Sequence, residues 1–207
     1  MPATGPTPLL VYGGSTAVGA FAIKLARHAD IHPIIAVAGK GAKYVETLLD
    51  PSKGDAIVDY RKGTDAVVQE LQAVLSKSAP GFTHFPHVFD AVSEHGSVDI
   101  IGKVIDPKGL VTFVLDYEAG SLPSTVRHTR TGVASLHGDV AANRDLGFVG
   151  FRYFGKGLQD GWFSGHPFKV RENGLEGVEA ALTDLKNGKA SAVKYVFRIA
   201  DTPQLKA

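Results

Sequence analysis

An apolar run, Leu9-Leu10-Val11-Tyr12, ends abruptly on Gly13-Gly14, and the residues after it take helical spacing, with Val18, Ala22, Leu25 and Ala29 on one face. Strand, glycine turn and helix in that order leave few folds open, because the helix must return the chain alongside the strand it left. The unit then recurs. Residues 34–38 are a β-branched run, 42–49 a short helix and 55–59 a third strand. Residues 64–75 form a helix entered at Gly63, with Thr64 expected to cap it and Val67, Leu71, Val74 and Leu75 as its buried stripe. A fourth strand at 87–90, a helix at 97–105, a turn at Asp106-Pro107-Lys108-Gly109 and a nearly continuous apolar strand at 110–115 complete the pattern. Repeated βα alternation implies an α/β protein with a doubly wound parallel sheet.

The rest of the chain reads less sharply. Residues 116–145 are weakly periodic and rich in Gly, Ser, Thr and Arg, so they are expected to be a long, mobile connection. The aromatic group at 148–154 reads as a sixth, edge strand. Leu175, Val178, Leu182 and Leu185 mark a helix ending at Asn187-Gly188, and 194–199 a closing strand.

Composition narrows the function. Among 207 residues, 22 basic side chains against 21 acidic give a net charge of +1, which offers no broad footprint for nucleic acid or an anionic membrane. No apolar run approaches a bilayer-spanning length, and no secretory leader stands at the N-terminus, so the expectation is a cytoplasmic protein. Cysteine is absent, which removes thiol nucleophiles and zinc–thiolate sites, so redox chemistry here would need a bound cofactor. His84, His87 and His95 lack helical or cysteine-supported metal spacing, and Ser93-Glu94-His95 lacks a nucleophile elbow. No metal site or triad is expected.

The segment from Gly13 to Gly19 sits where a Rossmann fold places its phosphate loop. Read as G-x-G-x-x-G, it is Gly14-x-Thr16-x-x-Gly19, with threonine at the middle glycine. Backbone N–H groups at the start of a helix face an incoming diphosphate, and Ser15 and Thr16 can add hydroxyl donors; the competing reading is a tight turn and nothing more. At the end of the second strand, where an NAD enzyme offers a carboxylate to the ribose, Ala38-Gly39-Lys40 stands instead. Lys40 would attract a 2′-phosphate, so NADPH is expected over NADH; otherwise it is a solvated surface lysine. Asp90 closes a strand at the ligand-binding edge of such sheets, as either a ligand contact or a turn carboxylate.

Tyr12-Gly-Gly-Ser-Thr-Ala17, Asp59-Tyr-Arg61, Phe89-Asp-Ala-Val92, the turn into residues 110–115, and Gly188-Lys-Ala-Ser-Ala-Val-Lys194 together resemble the medium-chain dehydrogenase/reductase superfamily, and within it the fungal zinc-independent quinone oxidoreductases and trans-enoyl reductases. The resemblance implies that Gly14, Ser15, Thr16 and Ala17 cradle a diphosphate, beside Gly19, which the motif uses to let helix and strand pack together, and that Lys40 and Tyr60 meet the 2′-phosphate. It implies that Ala91 and Val92 line the cofactor cleft, that Val114 and Leu115 lie near the nicotinamide, and that Lys194 lies at the cofactor edge. Tyr60, an aromatic residue at a strand end, is equally suited to packing. The resemblance implies an NADPH-dependent reduction of an activated C=C bond or quinone, on an enone, quinone or enoyl small molecule, and a homodimer formed by edge strands. Residues 1–207 are then expected to be one NADPH-binding domain, with 166–207 as the family's C-terminal helix and strand, and the family's preceding GroES-like catalytic domain is expected to be absent. The alternative is a catalytically silent nucleotide-binding or interaction module.

Overall fold

The computed structural model describes residues 2–117 and 122–205. Six parallel strands form the main sheet: β1 (Leu9–Tyr12), β2 (Ile34–Ala38), β3 (Ala56–Asp59), β4 (Phe85–Asp90), β5 (Ile105–Phe113) and β6 (Arg127–Arg130). Their spatial order is β3-β2-β1-β4-β5-β6, the doubly wound order of a Rossmann fold. The order reverses between β1 and β4, whose register pairs Tyr12 with Asp90, so a crevice opens beyond the carboxyl ends of these two strands.

Alternation along the strands explains the two covered faces. Leu10, Tyr12, Ile35, Val37 and Val58 pack with Val67, Leu71 and Leu75 of α3 (Thr64–Ser78) and with Ile100, Ile101 and Val104 of α4 (Ser97–Val104). Val11, Ile34, Ala36 and Ala38 point the other way, onto Ala20, Ile23 and Ala26 of α1 (Ala17–His28) and Val45 of α2 (Ala42–Glu46). All five residues of β2 are buried, which is why that strand is apolar throughout rather than alternating.

Several expectations are corrected. Gly63, not Thr64, occupies the cap of α3, at φ 90°, and no side chain caps that helix. Asp106-Pro107-Lys108-Gly109 does not separate two elements: β5 begins at Ile105 and runs through it, with a register shift against β4 between Phe85 and His87. Lys108 N donates to Asp106 Oδ1 at 2.7 Å to hold that irregularity. The stretch expected to be a mobile connection contains β6, a 3-10 turn at Val133–His137 and the start of a helix, while residues 118–121 within it lie outside the described residues. Residues 148–154 are not a strand. They belong to α5 (Ala141–Asp160), and the sixth strand is β6, which is polar and fully exposed. A parallel pair, β7 (Phe168–Arg171) and β8 (Lys194–Phe197), flanks α6 (Val178–Lys186); β7 was not foreseen. Among the described residues no helix is long and apolar enough to cross a membrane.

Candidate cofactor cleft

The glycine turn is fixed from three sides. Gly13 takes φ 81°, and the N–H groups of Gly13 and Gly14 both donate to Val37 O, at 3.0 and 2.9 Å, which ties the turn to the end of β2. A Cβ on Gly19 would lie 2.3 Å from Gly13 O, so α1 crosses its own entry turn at a separation only glycine permits. Thr16 caps α1: its Oγ1 accepts from Gly19 N at 3.0 Å, which leaves the hydroxyl proton free to donate elsewhere. The N–H groups of Ala17 and Val18 open the helix with no carbonyl one turn back to receive them. No acidic residue stands in this first turn, so the positive end of the helix is not neutralised from within.

This helix start lines a cleft of about 680 Å³ that brings together Ser15, Thr16, Ala17, Lys40, Tyr60 and Lys194. Lys40 is exposed at its rim. Tyr60 packs on the strand end and also lines the cleft, since a Cβ on Gly39 would stand 2.5 Å from its Cε1 while half of the residue stays open. One side of the ring packs on the strand end and the remainder faces the cleft. The opposite wall comes from the C-terminal part of the chain, where α6 contributes Val178, Leu182 and Leu185.

Gly14 and Gly19 are buried beneath the cleft and act through close packing rather than as lining. Ala91, Val92, Val114 and Leu115 lie on the other flank of the turn, past the ends of β4 and β5, and do not line the 680 Å³ cleft. Val92 bridges the two flanks, because its Cγ2 occupies the space a Cβ on Gly13 would enter, 2.5 Å away.

That second flank is organised by Asp90, which is wholly buried. Its Oδ1 accepts from Val92 N and Ser93 N, each at 2.9 Å, and its Oδ2 from Ser97 Oγ at 2.6 Å. Ser93 Oγ in turn accepts from Val114 N and Leu115 N at 3.2 and 3.3 Å, joining the ends of β4 and β5. Asp90 is therefore the turn carboxylate of the two readings. Burial raises its pKa above the ordinary carboxylate value despite those three donors, and burial together with Asp90 and Tyr60 pushes the Tyr12 phenol up to about 12. Ser93 is committed to backbone groups, and the exposed His95 sits 3.7 Å from Glu94, so these neighbours form no catalytic triad. Among the described residues no cluster of three or more His, Asp or Glu side chains could hold a metal.

Among the lining residues that the sequence reading did not assign to the cleft, His166 carries a titratable group. His166 reaches the cleft from the loop before β7, and a lone His-Pro pair ahead of an unforeseen strand gave no periodic signal to mark it.

The strand order, the glycine turn and the capped helix above it define a Rossmann domain. No family model matches the chain. It is 41% identical over 165 residues to trans-enoyl reductase fsr4 of Gibberella fujikuroi, a match covering 79% of this chain and 46% of that protein. Among solved structures, the JamJ enoyl reductase superposes with TM-score 0.68 at 13% identity, over 94% of this chain and 56% of the other. An alcohol dehydrogenase from Aeropyrum pernix superposes with TM-score 0.65 at 18% identity, over 93% and 50%. In sequence the chain is similar to the trans-enoyl reductases, and in fold to the enoyl reductase and alcohol dehydrogenase structures, in keeping with the resemblance read from its motifs. It spans about half the length of the curated relatives it matches.

Proposed function

We propose that the cleft binds NADPH and that the chain is the cofactor-binding part of a zinc-independent reductase acting on an activated C=C bond of an enone, quinone or enoyl compound. The observation that carries this reading is the convergence, in one cleft, of the unneutralised start of α1 with Lys40 and Tyr60. Ala17 N–H, Val18 N–H and the Thr16 hydroxyl suit a diphosphate. Lys40 stands at the end of β2, where a carboxylate would repel a 2′-phosphate, and Tyr60 offers a flat surface to the adenosine end. Lys194 adds a second ammonium group across the cleft. When bound, NADPH would supply a hydride to the carbon β to a carbonyl, whose conjugation spreads the developing negative charge. On the far flank, the Asp90 and Ser93 bonds hold Ala91, Val92, Val114 and Leu115 in place as a nonpolar surface for the nicotinamide. The trans-enoyl reductase relatives support the substrate class.

A second reading, a nucleotide-binding module without turnover of its own, is favoured by that same flank: Asp90 and Ser93 are committed to structural bonds and are not free to protonate a substrate. Calorimetry with NADPH and NADH tests the shared foundation. The first reading expects tighter binding of NADPH, and expects Lys40→Asp to reduce that preference by about tenfold or more through charge reversal beside the 2′-phosphate. Preference unchanged in Lys40→Asp would remove the assigned role. Oxidation of NADPH by a panel of enones and quinones then separates the readings, since binding without turnover establishes the second.

A further inference from the structure

The chain leaves α5 at Gly161, at φ 80°, and residues 162–166 lie along the outer face of α1. Lys24 Nζ clamps them there, donating to Ser164 O at 2.7 Å, Ser164 Oγ at 2.9 Å and Gly165 O at 3.0 Å. Aromatic contacts add to the clamp. Phe163 packs on Phe21 with ring centres 5.5 Å apart, and Trp162 stacks on His28 at 3.9 Å.

This clamp carries His166 to the wall of the cleft, its ring edge-on to Tyr44 at 5.1 Å and to Phe21 at 6.4 Å. Nδ1 of His166 is buried without a hydrogen-bond partner, as is the Tyr44 hydroxyl. Each such atom costs about 1–3 kcal/mol, so a fold that keeps one at a cleft wall points to a task beyond packing. Position suggests which task. Ala17 and Phe21 are one turn apart on the same face of α1, so a ring against Phe21 stands one turn from the unpaired N–H groups at the helix start.

We propose that His166 is the proton-linked member of the cleft's anion site: a diphosphate seated at the start of α1 draws a proton onto its imidazole, and the imidazolium joins Lys194 and the N–H groups of that helix start in holding that anion. The step is a proton taken from solvent onto a ring nitrogen, with no other bond changed. This rests on the reading that the cleft takes a dinucleotide. The titratable groups facing His166 from the elements packed around it are Lys24 of α1, Tyr44 of α2 and Lys194 of β8, which are cationic or neutral near pH 7. Burial, then Lys24 and Lys194, holds the imidazole below its ordinary value, so without an anion the ring is neutral at physiological pH. A dianion beside it reverses the local sign. Because the pKa is then higher bound than free, affinity rises as pH falls from the bound value towards the free one, and by reciprocity binding takes up a proton.

The test is calorimetry of NADH and NADPH between pH 6 and 8, in buffers of differing ionisation enthalpy, on the full chain and on His166→Gln. NADH is the cleaner probe, since its diphosphate does not titrate in this range whereas the 2′-phosphate of NADPH does. The expected result is proton uptake with NADH and an affinity about fivefold or more higher at pH 6 than at pH 8, with both effects lost in His166→Gln. Uptake and slope that persist in the variant overturn the proposal. A histidine resonance assigned to His166 supplies the independent reading: its titration midpoint should move up on saturation with NADH, and an unmoved midpoint overturns it too. Absence of binding by either nucleotide to the unmodified chain at every pH overturns the dinucleotide reading itself, whereas binding with no proton linkage overturns this proposal alone.

Discussion

The sheet from β1 to β5 and the stretch from β6 through α5 are built on opposite terms. Every residue of β2 is buried, and Phe85 of β4 and Phe113 of β5 are wholly enclosed. In β6 all four residues are exposed, and α5, 20 residues long, buries only Gly147 and Gly157. Yet α5 is rich in apolar side chains: Leu146, Phe148, Val149, Phe151, Tyr153 and Leu158 all stand open to solvent. A helix apolar over most of its circumference ordinarily sits inside a larger body. The difference teaches that apolar content and burial are separate quantities. The first region closes its own core, and the second carries an apolar surface that the described residues do not cover.

The sharpest break of that comparison is the same chemical change made in both regions. Phe85→Ala should cost about 4 kcal/mol in urea unfolding, from lost transfer energy and the cavity left between β4 and the helices packed on that face. A loss below about 1 kcal/mol would mean that this face relaxes into the cavity and is not the rigid half.

A smaller effect belongs to the buried turn at the crevice. Ser97→Ala removes the donor to Asp90 Oδ2 and should cost about 2 kcal/mol, because a buried acceptor is left unmade. Asp90→Asn behaves differently, since its amide oxygen can still accept from Val92 N and Ser93 N and its amide nitrogen can donate to Ser97 Oγ. The pKa of Asp90 is raised in the fold, so the stability tied to its proton is complete below the ordinary carboxylate value of 3.8 and is lost as pH rises through the folded value. Wild type should therefore lose stability relative to Asp90→Asn on going from pH 4 to pH 7. Unfolding curves at both pH values check the sign, and a relative gain would show that the three donors outweigh burial.

The same contrast governed what could be read from the residues. Continuous apolar strands and glycine turns are local signals, and β1, β2, α1 and the Gly13 to Gly19 turn were legible from spacing alone. Thr16 in the place of the motif's middle glycine proved to be the helix cap. The β6 strand was hidden because an exposed edge has no apolar alternation to show: Arg127, His128, Thr129 and Arg130 read as a polar loop. Residues 148–154 misled for the opposite reason. Their aromatic residues are β-formers by propensity, and Gly147, Gly150, Gly155 and Gly157 break the segment with poor helix formers. In the cleft, Ser15, Thr16, Ala17, Lys40, Tyr60 and Lys194 share one lining, whereas His166 depends on a clamp between Lys24 and Ser164, residues 140 apart in sequence, which no local pattern encodes.

The smallest effect is the counterpart of the largest. Phe151 on α5 is 58% exposed and borders an open groove with Leu136, Arg144 and Phe148, so Phe151→Ala should shift unfolding by less than about 0.5 kcal/mol. That expectation holds only while the face stays uncovered. If copies of the chain associate through α5, the same change lowers the mass seen in concentrated solution and destabilises the assembly. The edge strand offers a rival contact, but antiparallel two-fold pairing of β6 centred between His128 and Thr129 would set Arg127 opposite the other copy's Arg130, and like charges directly across a strand pair are unfavourable. Sedimentation of wild type, Phe151→Ala and Arg127→Thr across concentration therefore separates three cases. A monomer throughout leaves the α5 surface open, a dimer lost in Phe151→Ala assigns it to α5, and a dimer strengthened in Arg127→Thr assigns it to β6.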